Sequence, residues 1–449
     1  MGRKIALIGG GGVRTPLVVF GIHEAMKALD ADELVLFDPD AERAHVMTDL
    51  GRAIVSKEDG ALHIRQARTI EDAVADARFV LNSIRVGGIH ARTHDERVSV
   101  AHGYPGQETT GPGGVAMALR TVGVAVEQAR LVERYSPKAW IINFTNPAGL
   151  VTQAIKHNSD AKVVGICDTP SELLHQIALA LGARPNEVRC DYVGLNHLGW
   201  VRRIHLRGQE VTDKCLSNDD FLRRIYHASL FDPALIRALH LIPTEYLYFY
   251  YSRRRALDNQ RKQENTRGAE IERIGADLFP RLAQLLREGD GAAAIGVYVD
   301  YLNARSGTYM KLEGEGDTAP RAPTYLDPFR AATGYHRIAL EVMTALSGNE
   351  PRRLIVNTQN AGSISEIDRD DIVEVPCLVG RDAITPEICG EMPEAVRGLV
   401  LAVKAYERAA IEAALSGSVS LARKAMLLHP AIGEWEPSRD LLEQLIIHC

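Results

Sequence analysis

Along the first part of the chain, short unbroken apolar runs recur between longer stretches of mixed polarity: KIALI (4–8), ELVLF (33–37), RFVLNSI (78–84), AWIINF (139–144) and KVVGI (162–166). A strand covered on both faces has no polar face to alternate with. Such runs, separated by helix-length segments, therefore predict a parallel sheet with helices on both sides. Beyond about Asp191 the pattern changes to longer amphipathic stretches, among them Glu270 to Leu286 and Val400 to Leu415. Two later apolar runs, LIVNTQN (354–360) and IVEVPCLV (372–379), predict strands that form or extend a second sheet. The segment GEGDTAPRAPTYLDP (314–328), rich in Pro, Gly and charge, predicts a mobile loop. The expected fold class is α/β, with a doubly wound parallel sheet over 1–191 and a second, longer domain over 192–449.

Composition narrows the class of function. A chain of 449 residues is long enough for two or three domains at roughly 150 residues each. With 46% apolar and 24% charged residues it gives no ground for extensive disorder. Acidic residues outnumber basic ones, 58 to 52, and the net charge of −6 lacks the broad positive field of a nucleic-acid binder. The longest uncharged stretch, Ala139 to Ile155, contains Asn143, Thr145, Asn146 and Gln153, so no membrane span is expected. MGRKIALIGGGG runs into glycines without a cleavage site, and the six cysteines form no CxxC pair. Both features predict a cytoplasmic protein whose cysteines act as thiols.

Four features carry candidate chemistry. The first strand runs straight into Gly9, Gly10, Gly11 and Gly12, then Val13 and a helical stretch. A glycine turn between strand and helix lets backbone N–H groups and the helix dipole approach a pyrophosphate. The second strand ends at Asp38, placed for the adenosine ribose hydroxyls, which favours NAD over NADP. The competing reading is a glycine turn that only packs strand on helix. Arg14 stands where GxGxxG counted from Gly9 expects glycine. Next, Asn143, Asn146 and Pro147 in INFTNPAG follow a strand, as ligand contacts or as caps of the next helix. Third, Cys167 in CDTP and His197 after Asn196 in GLNHLGW offer a thiolate and an imidazole to a divalent cation, or a core thiol and a chance histidine. Fourth, IPTEYLYFYYSRRR crowds Tyr246, Tyr248, Tyr250 and Tyr251 beside Arg253, Arg254 and Arg255. A tyrosine there could serve as a base, and the arginines are either a phosphate site or a solvated face.

Taken in order, IALIGGGGVRTP, RVGGIHARTHDER, GYPGQETTGPGG, INFTNPAG, VVGICDTP, GLNHLGW, VEVPCLV and VKAYERAAIEAALSG resemble the family-4 glycoside hydrolases from end to end. The resemblance implies a lactate/malate dehydrogenase-like Rossmann domain and an α+β second domain. It also implies hydrolysis through NAD rather than through two carboxylates. NAD takes the C3 hydride, the C2 proton becomes acidic, the glycosidic bond is eliminated, water adds, and the hydride returns; a divalent ion, usually manganese, polarises the C2 and C3 oxygens. Carried onto this chain, Cys167 and His197 look like the metal ligands, and Gly9 to Gly12, Val13 and Asp38 like the NAD site. Asn146 and Asn196 look like sugar contacts. Tyr246 is the implied C2 base with Tyr250 as its alternative, and Asp168 is the implied acid on the leaving group. Arg92 is a candidate substrate or phosphate ligand, and Glu108 stands where the family places a site carboxylate. A homodimer or homotetramer is usual in the family.

Two departures bear on the substrate. Members acting on 6-phospho-β-glucosides typically carry Cys-Asn-Val-Pro and those acting on 6-phospho-α-glucosides Cys-Asp-x-Pro. Cys167 to Pro170 match the second, whereas the run of the other motifs is nearer the first. Around Thr333 to Arg337 the family's Gly-Gly-Ala-Tyr-Tyr-Ser becomes ATGYHR, which keeps Tyr335 but places His336 where Tyr is common. The expected activity is that of a 6-phospho-β-glucosidase. The alternatives are a 6-phospho-α-glucosidase or a non-phosphorylated α-glycosidase or α-galactosidase of the same family. Outside the family, a net hydroxy-acid or sugar dehydrogenase, or a non-catalytic NAD sensor, would use the same nucleotide domain.

Overall fold

A computed structural model describes residues 4–55, 62–310, 327–348 and 350–446. Nearly all of the predicted loop 314–328 lies outside them. The apolar runs form β1 (Lys4–Ile8), β2 (Glu33–Phe37), β3 (His63–Gln66), β4 (Ala77–Asn82), β5 (Trp140–Asn143) and β6 (Lys162–Gly165). They pair in parallel in the order β3-β2-β1-β4-β5-β6, the doubly wound arrangement of dinucleotide-binding domains. Ile5, Leu7, Leu34 and Leu36 point into one cluster of buried side chains and Ala6, Ile8, Val80 and Ile141 into another, so both faces of the sheet are covered.

β7 (Val188–Leu195), β8 (Leu198–Leu206), β9 (Gln209–Glu210) and β10 (Ile242–Pro243) make a separate antiparallel sheet. The two late strands do not join it. β11 (Arg352–Gln359) and β12 (Ile372–Gly380), with β13 (Ala383–Pro386), extend the first sheet past β6 to nine strands. The junction is antiparallel, with Asn357 opposite Gly165. β6 would otherwise present an unpaired edge, and β11 and β12, buried along most of their length, cover it. The second half of the chain thus returns to the nucleotide-type sheet, and the helix Glu394–Ser416 packs against the helix Gly111–Tyr135.

One predicted helix divides. The stretch 270–286 is two helices, Arg267–Gly275 and Leu278–Arg287, because Pro280 has no N–H to donate and its ring clashes with the carbonyl a turn earlier. Among the described residues, no helix is long and apolar enough to cross a membrane.

Candidate active site

The glycine turn stands at the carboxyl edge of the parallel strands. Gly9 has φ +87°, and its N–H and that of Gly10 both donate to the Phe37 carbonyl at 2.9 and 2.8 Å. A Cβ on Gly9 would lie 2.3 Å from the Ser83 carbonyl oxygen, so no other residue fits there. A Cβ on Gly11 would lie 3.0 Å from the Asp38 carboxylate, which accepts the Gly11 N–H at 3.0 Å. The Val13 carbonyl accepts the Tyr298 hydroxyl at 2.8 Å, fixing the end of the turn. A bare backbone at a strand end, with an acid closing the second strand, is the cradle a dinucleotide needs. The residues present fit NAD. Arg14 points elsewhere: its guanidinium lies 4.0 Å over the Tyr335 ring.

Arg14 and Tyr335 belong to the wall of a cavity of about 250 Å³, shared by Glu108, Asn146, Asp168, Tyr246, Arg267 and Arg305. Asp168 opens the helix Thr169–Ala180 directly after β6, and burial, opposed by Arg14, pushes its carboxyl up to about 6. The two asparagines of INFTNPAG separate in role. Asn143 donates to the Ala148 carbonyl and the Thr152 hydroxyl at 3.2 and 3.0 Å, which holds the next helix. Asn146 keeps a buried Oδ1 without a partner on the cavity wall.

His197 sits in the β7–β8 turn with φ +60° and stacks on Tyr246, ring centroids 3.7 Å apart. Its Nδ1 is 2.9 Å from the Thr109 hydroxyl. That hydroxyl donates to Gln107 Oε1 at 2.9 Å, and Gln107 Oε1 is itself fixed by the N–H groups of Thr109 and Thr110. The hydroxyl proton being spent, Thr109 accepts from His197, and the imidazole carries its proton on Nδ1. Nε2 therefore offers a lone pair; it is buried and has no partner. Burial lowers the ring to about 4, so it is neutral at ordinary pH. Cys167 lies beside Tyr335, Sγ to hydroxyl 4.0 Å. Burial, then Glu374 and Asp168, push its thiol well above the usual range. A dication would reverse that preference and fill the open Nε2. These two residues fit a metal that takes its remaining ligands from substrate or water.

Tyr246 faces the cavity. Tyr250 does not, being stacked on His429 with centroids 6.0 Å apart. Tyr248 and Tyr251 pack against Phe231, and the run of arginines lines a surface groove, with Arg253 on the Ala431 carbonyl at 2.9 Å. Burial, then Glu245 and Glu108, raise the Tyr246 phenol. Arg92 is not on the cavity wall. It is 4% exposed, with Nε on Glu96 at 2.7 Å and Nη1 on Glu108 at 2.9 Å. Arg85, 2.6 Å from Glu108, joins it; against the cost of burial these arginines and Arg267 hold the Glu108 carboxyl well below its usual range.

Several cavity groups carry no motif of their own in the sequence. Arg305 and Arg267 each keep a buried Nε without a partner, and burial with neighbouring Arg14, Arg267 and Arg85 lowers Arg305 to about 10. Glu245 accepts the Thr169 and Tyr309 hydroxyls at 2.9 and 2.8 Å and pairs with His227 at 2.6 Å. Its only sequence signal is adjacency to Tyr246. The divergent ATGYHR segment lines the cavity through Thr333, Gly334, Tyr335 and His336.

Two family models match: Family 4 glycosyl hydrolase over residues 4–183 and the Family 4 glycosyl hydrolase C-terminal domain over 192–432. A probable 6-phospho-beta-glucosidase of Bacillus subtilis is 30% identical, covering 99% of this chain and 96% of its own. The 6-phospho-beta glucosidase of Thermotoga maritima, solved with manganese, NAD+ and glucose-6-phosphate, superposes with a TM-score of 0.80 at 29% identity, over 99% of this chain and 97% of that one. A 6-phospho-alpha-glucosidase from gut microorganisms, solved with NAD and glucose-6-phosphate, gives a TM-score of 0.83 at 26% identity, over 99% and 97%. With the two family models together matching 4–183 and 192–432 of an α/β chain whose glycine turn closes the first strand of a doubly wound sheet, this protein belongs to glycosyl hydrolase family 4.

Proposed function

We propose that the chain hydrolyses 6-phosphoglycosides, 6-phospho-β-glucosides first among them, with NAD on the glycine turn and manganese held by Cys167 Sγ and His197 Nε2. The observation that carries this is the neutral His197 ring, whose buried Nε2 lone pair has no protein partner and which stacks on Tyr246 at the cavity. When bound, NAD supplies a reversible hydride acceptor for C3, and the metal polarises the sugar oxygens so that the C2 proton becomes acidic. Tyr246 Oη receives that proton as a phenolate: a bound dication would offset the burial and the Glu245 and Glu108 charges that otherwise keep the phenol protonated. Asp168, a carboxyl raised to about 6, carries a proton for the departing oxygen. Asn146, with its free Oδ1, holds a sugar hydroxyl, and Glu108, kept ionised by Arg85 and Arg92, faces the same space; Asn196, expected as a second sugar contact, is off the cavity wall with its amide engaged by Glu374 and the Gly149 N–H. Arg92 acts through Glu108 rather than on substrate. The Arg305 guanidinium, crowded by Arg14 and Arg267 and with its Nε free, receives the phosphate together with them.

The β preference is supported by relatives named for it at 29–30% identity. A 6-phospho-α-glucosidase is the second reading, favoured by Asp168 on the cavity wall. In this assignment 1–191 is the nucleotide domain and 192–449 completes the sugar and metal site. The enzyme acts in the cytoplasm, where the five described cysteines stay free of disulfides, and assembles as a homodimer or homotetramer.

The test is cleavage of aryl α- and β-glucosides, with and without a 6-phosphate. Cleavage of the 6-phospho-β-glucoside is expected to stop on chelation or NAD removal, to return with Mn2+ and NAD, and to place solvent deuterium at C2. Activity that survives thorough chelation would refute the proposal, and stoichiometric NADH would select a net dehydrogenase instead.

A further inference from the structure

β12 delivers one carboxylate into the seam between the two sheets. Glu374 is 1% exposed. Its Oε2 accepts the Tyr192 hydroxyl at 2.7 Å, and its Oε1 accepts Asn357 Nδ2 at 2.9 Å and Asn196 Nδ2 at 3.2 Å. These donors come from β7, β11 and the β7–β8 turn, and all three are neutral. Among the described residues no cation pairs with Glu374. A buried carboxylate without a cation is costly, and a well-packed apolar residue would serve the seam at least as well if packing were its whole purpose.

What the carboxylate reaches is the turn that carries the proposed metal ligand. The Asn196 amide is clamped at both ends, Nδ2 on Glu374 and Oδ1 accepting the Gly149 N–H at 3.4 Å. The next residue is His197, in a left-handed conformation, so the direction of its imidazole follows from where Asn196 is held. There is no slack around the clamp. A Cβ on Gly149 would lie 2.9 Å from Asn196 Cβ, and one on Gly199 would overlap the Tyr192 hydroxyl at 1.9 Å.

We propose that Glu374 is a positioning residue for the divalent cation: through Asn196 it fixes the His197 imidazole. This rests on the metal reading given above. Outer partners of metal ligands act in this way, orienting a ligand. Glu374 does not itself touch the ion.

The test is Mn2+ binding to the purified full-length chain, followed by the electron paramagnetic resonance of free Mn2+, with NAD affinity measured on the same preparation. Glu374→Gln is expected to weaken Mn2+ about 10–100-fold while leaving NAD binding unchanged. It is also expected to shift the d–d and thiolate charge-transfer bands of the Co2+-loaded protein, which a purely structural loss would not do selectively. Glu374→Asp, which keeps the charge and loses reach, should fall between. Wild-type Mn2+ affinity and an unshifted Co2+ spectrum in Glu374→Gln, while Cys167→Ser has lost the metal, would overturn the positioning role alone. Wild-type chain that binds no Mn2+, or Cys167→Ser that binds it normally, would remove the metal reading and this inference with it. Should Glu374→Gln not fold, Tyr192→Phe frees the other carboxylate oxygen and is expected to weaken Mn2+ about threefold or more; unchanged affinity there would overturn the role equally.

Discussion

Arg92 and Arg305 bring the same group to one region of the molecule in opposite states of compensation. Arg92 lies between Glu96 and Glu108, while Arg305 has no carboxylate partner among the described residues and is crowded by Arg14, Arg85 and Arg267. Sequence singled out Arg92 because it stands in a motif; nothing in a motif tells which acids the fold will set against it. Arg305 stands in no motif, and Arg14 is visible only as the residue that breaks a glycine fingerprint. A half-buried guanidinium without an anion costs stability that a bound phosphate recovers. Arg305→Met is therefore expected to raise unfolding free energy by about 1 kcal/mol and to raise KM for an aryl 6-phosphoglucoside about tenfold or more. NAD affinity should not change. Urea denaturation and steady-state kinetics check both signs, and a variant that loses stability with KM unaltered would place the phosphate elsewhere.

At the scale of elements, the parallel strands were legible because a strand buried on both faces must be an unbroken apolar run. The destination of β11 and β12 was not, since the same run satisfies either sheet and only the free edge of β6 decides between them. The split helix was open to reading from Pro280, whose missing N–H interrupts a periodicity that is otherwise continuous. For the site, the glycine turn, Cys167, His197 and Tyr246 were legible as residues, but the tautomer of His197 depends on Thr109 and Gln107 from a distant segment. The glycine turn separates steric need from composition. Gly9 has φ +87° and a Cβ position 2.3 Å from the Ser83 carbonyl oxygen, whereas a Cβ on Gly12 meets only the Gly9 oxygen at 3.1 Å. Gly9→Ala is expected to cost at least about 2 kcal/mol and to abolish NAD binding, and Gly12→Ala to stay within about 1 kcal/mol of wild type with NAD binding retained. Denaturant midpoints and NAD titration decide; equal effects at the two positions would mean that the turn is not held as described.

Across the whole molecule, the second half is tied back to the nucleotide sheet through groups that must stay neutral. His429 follows the helix Val419–Leu428, with Nε2 accepting the Gly111 N–H at the start of the long helix at 3.1 Å and the Tyr406 ring centroid 4.5 Å from its own. Burial lowers it to about 3, and lowers His197 and His336 to about 4. A histidine with a depressed pKa binds its proton more readily in the unfolded chain. Its contribution is complete above the unfolded value near 6.5 and is lost as pH falls toward the folded value, at up to about 1.4 kcal/mol per pH unit for each ring. Glu374 and Asp168, raised by burial to about 7 and about 6, act in the opposite sense. They take up protons more readily when folded, so acidification relieves them between their folded values and the ordinary carboxylate range near 4. From these five groups, metal-free protein should lose stability from pH 6.5 to about 4.5 with a net slope of only about one proton, two carboxylates offsetting two of three histidines, and between about 4 and about 3 the remaining one-proton loss belongs to His429 alone. Replacing His429 by Gln keeps an acceptor and removes the proton site. The pH slope of unfolding free energy below about 4.5 should then be shallower by close to one proton, measured by urea titration at a series of pH values, and an unchanged slope would show that the seam at Gly111 does not depend on a neutral ring.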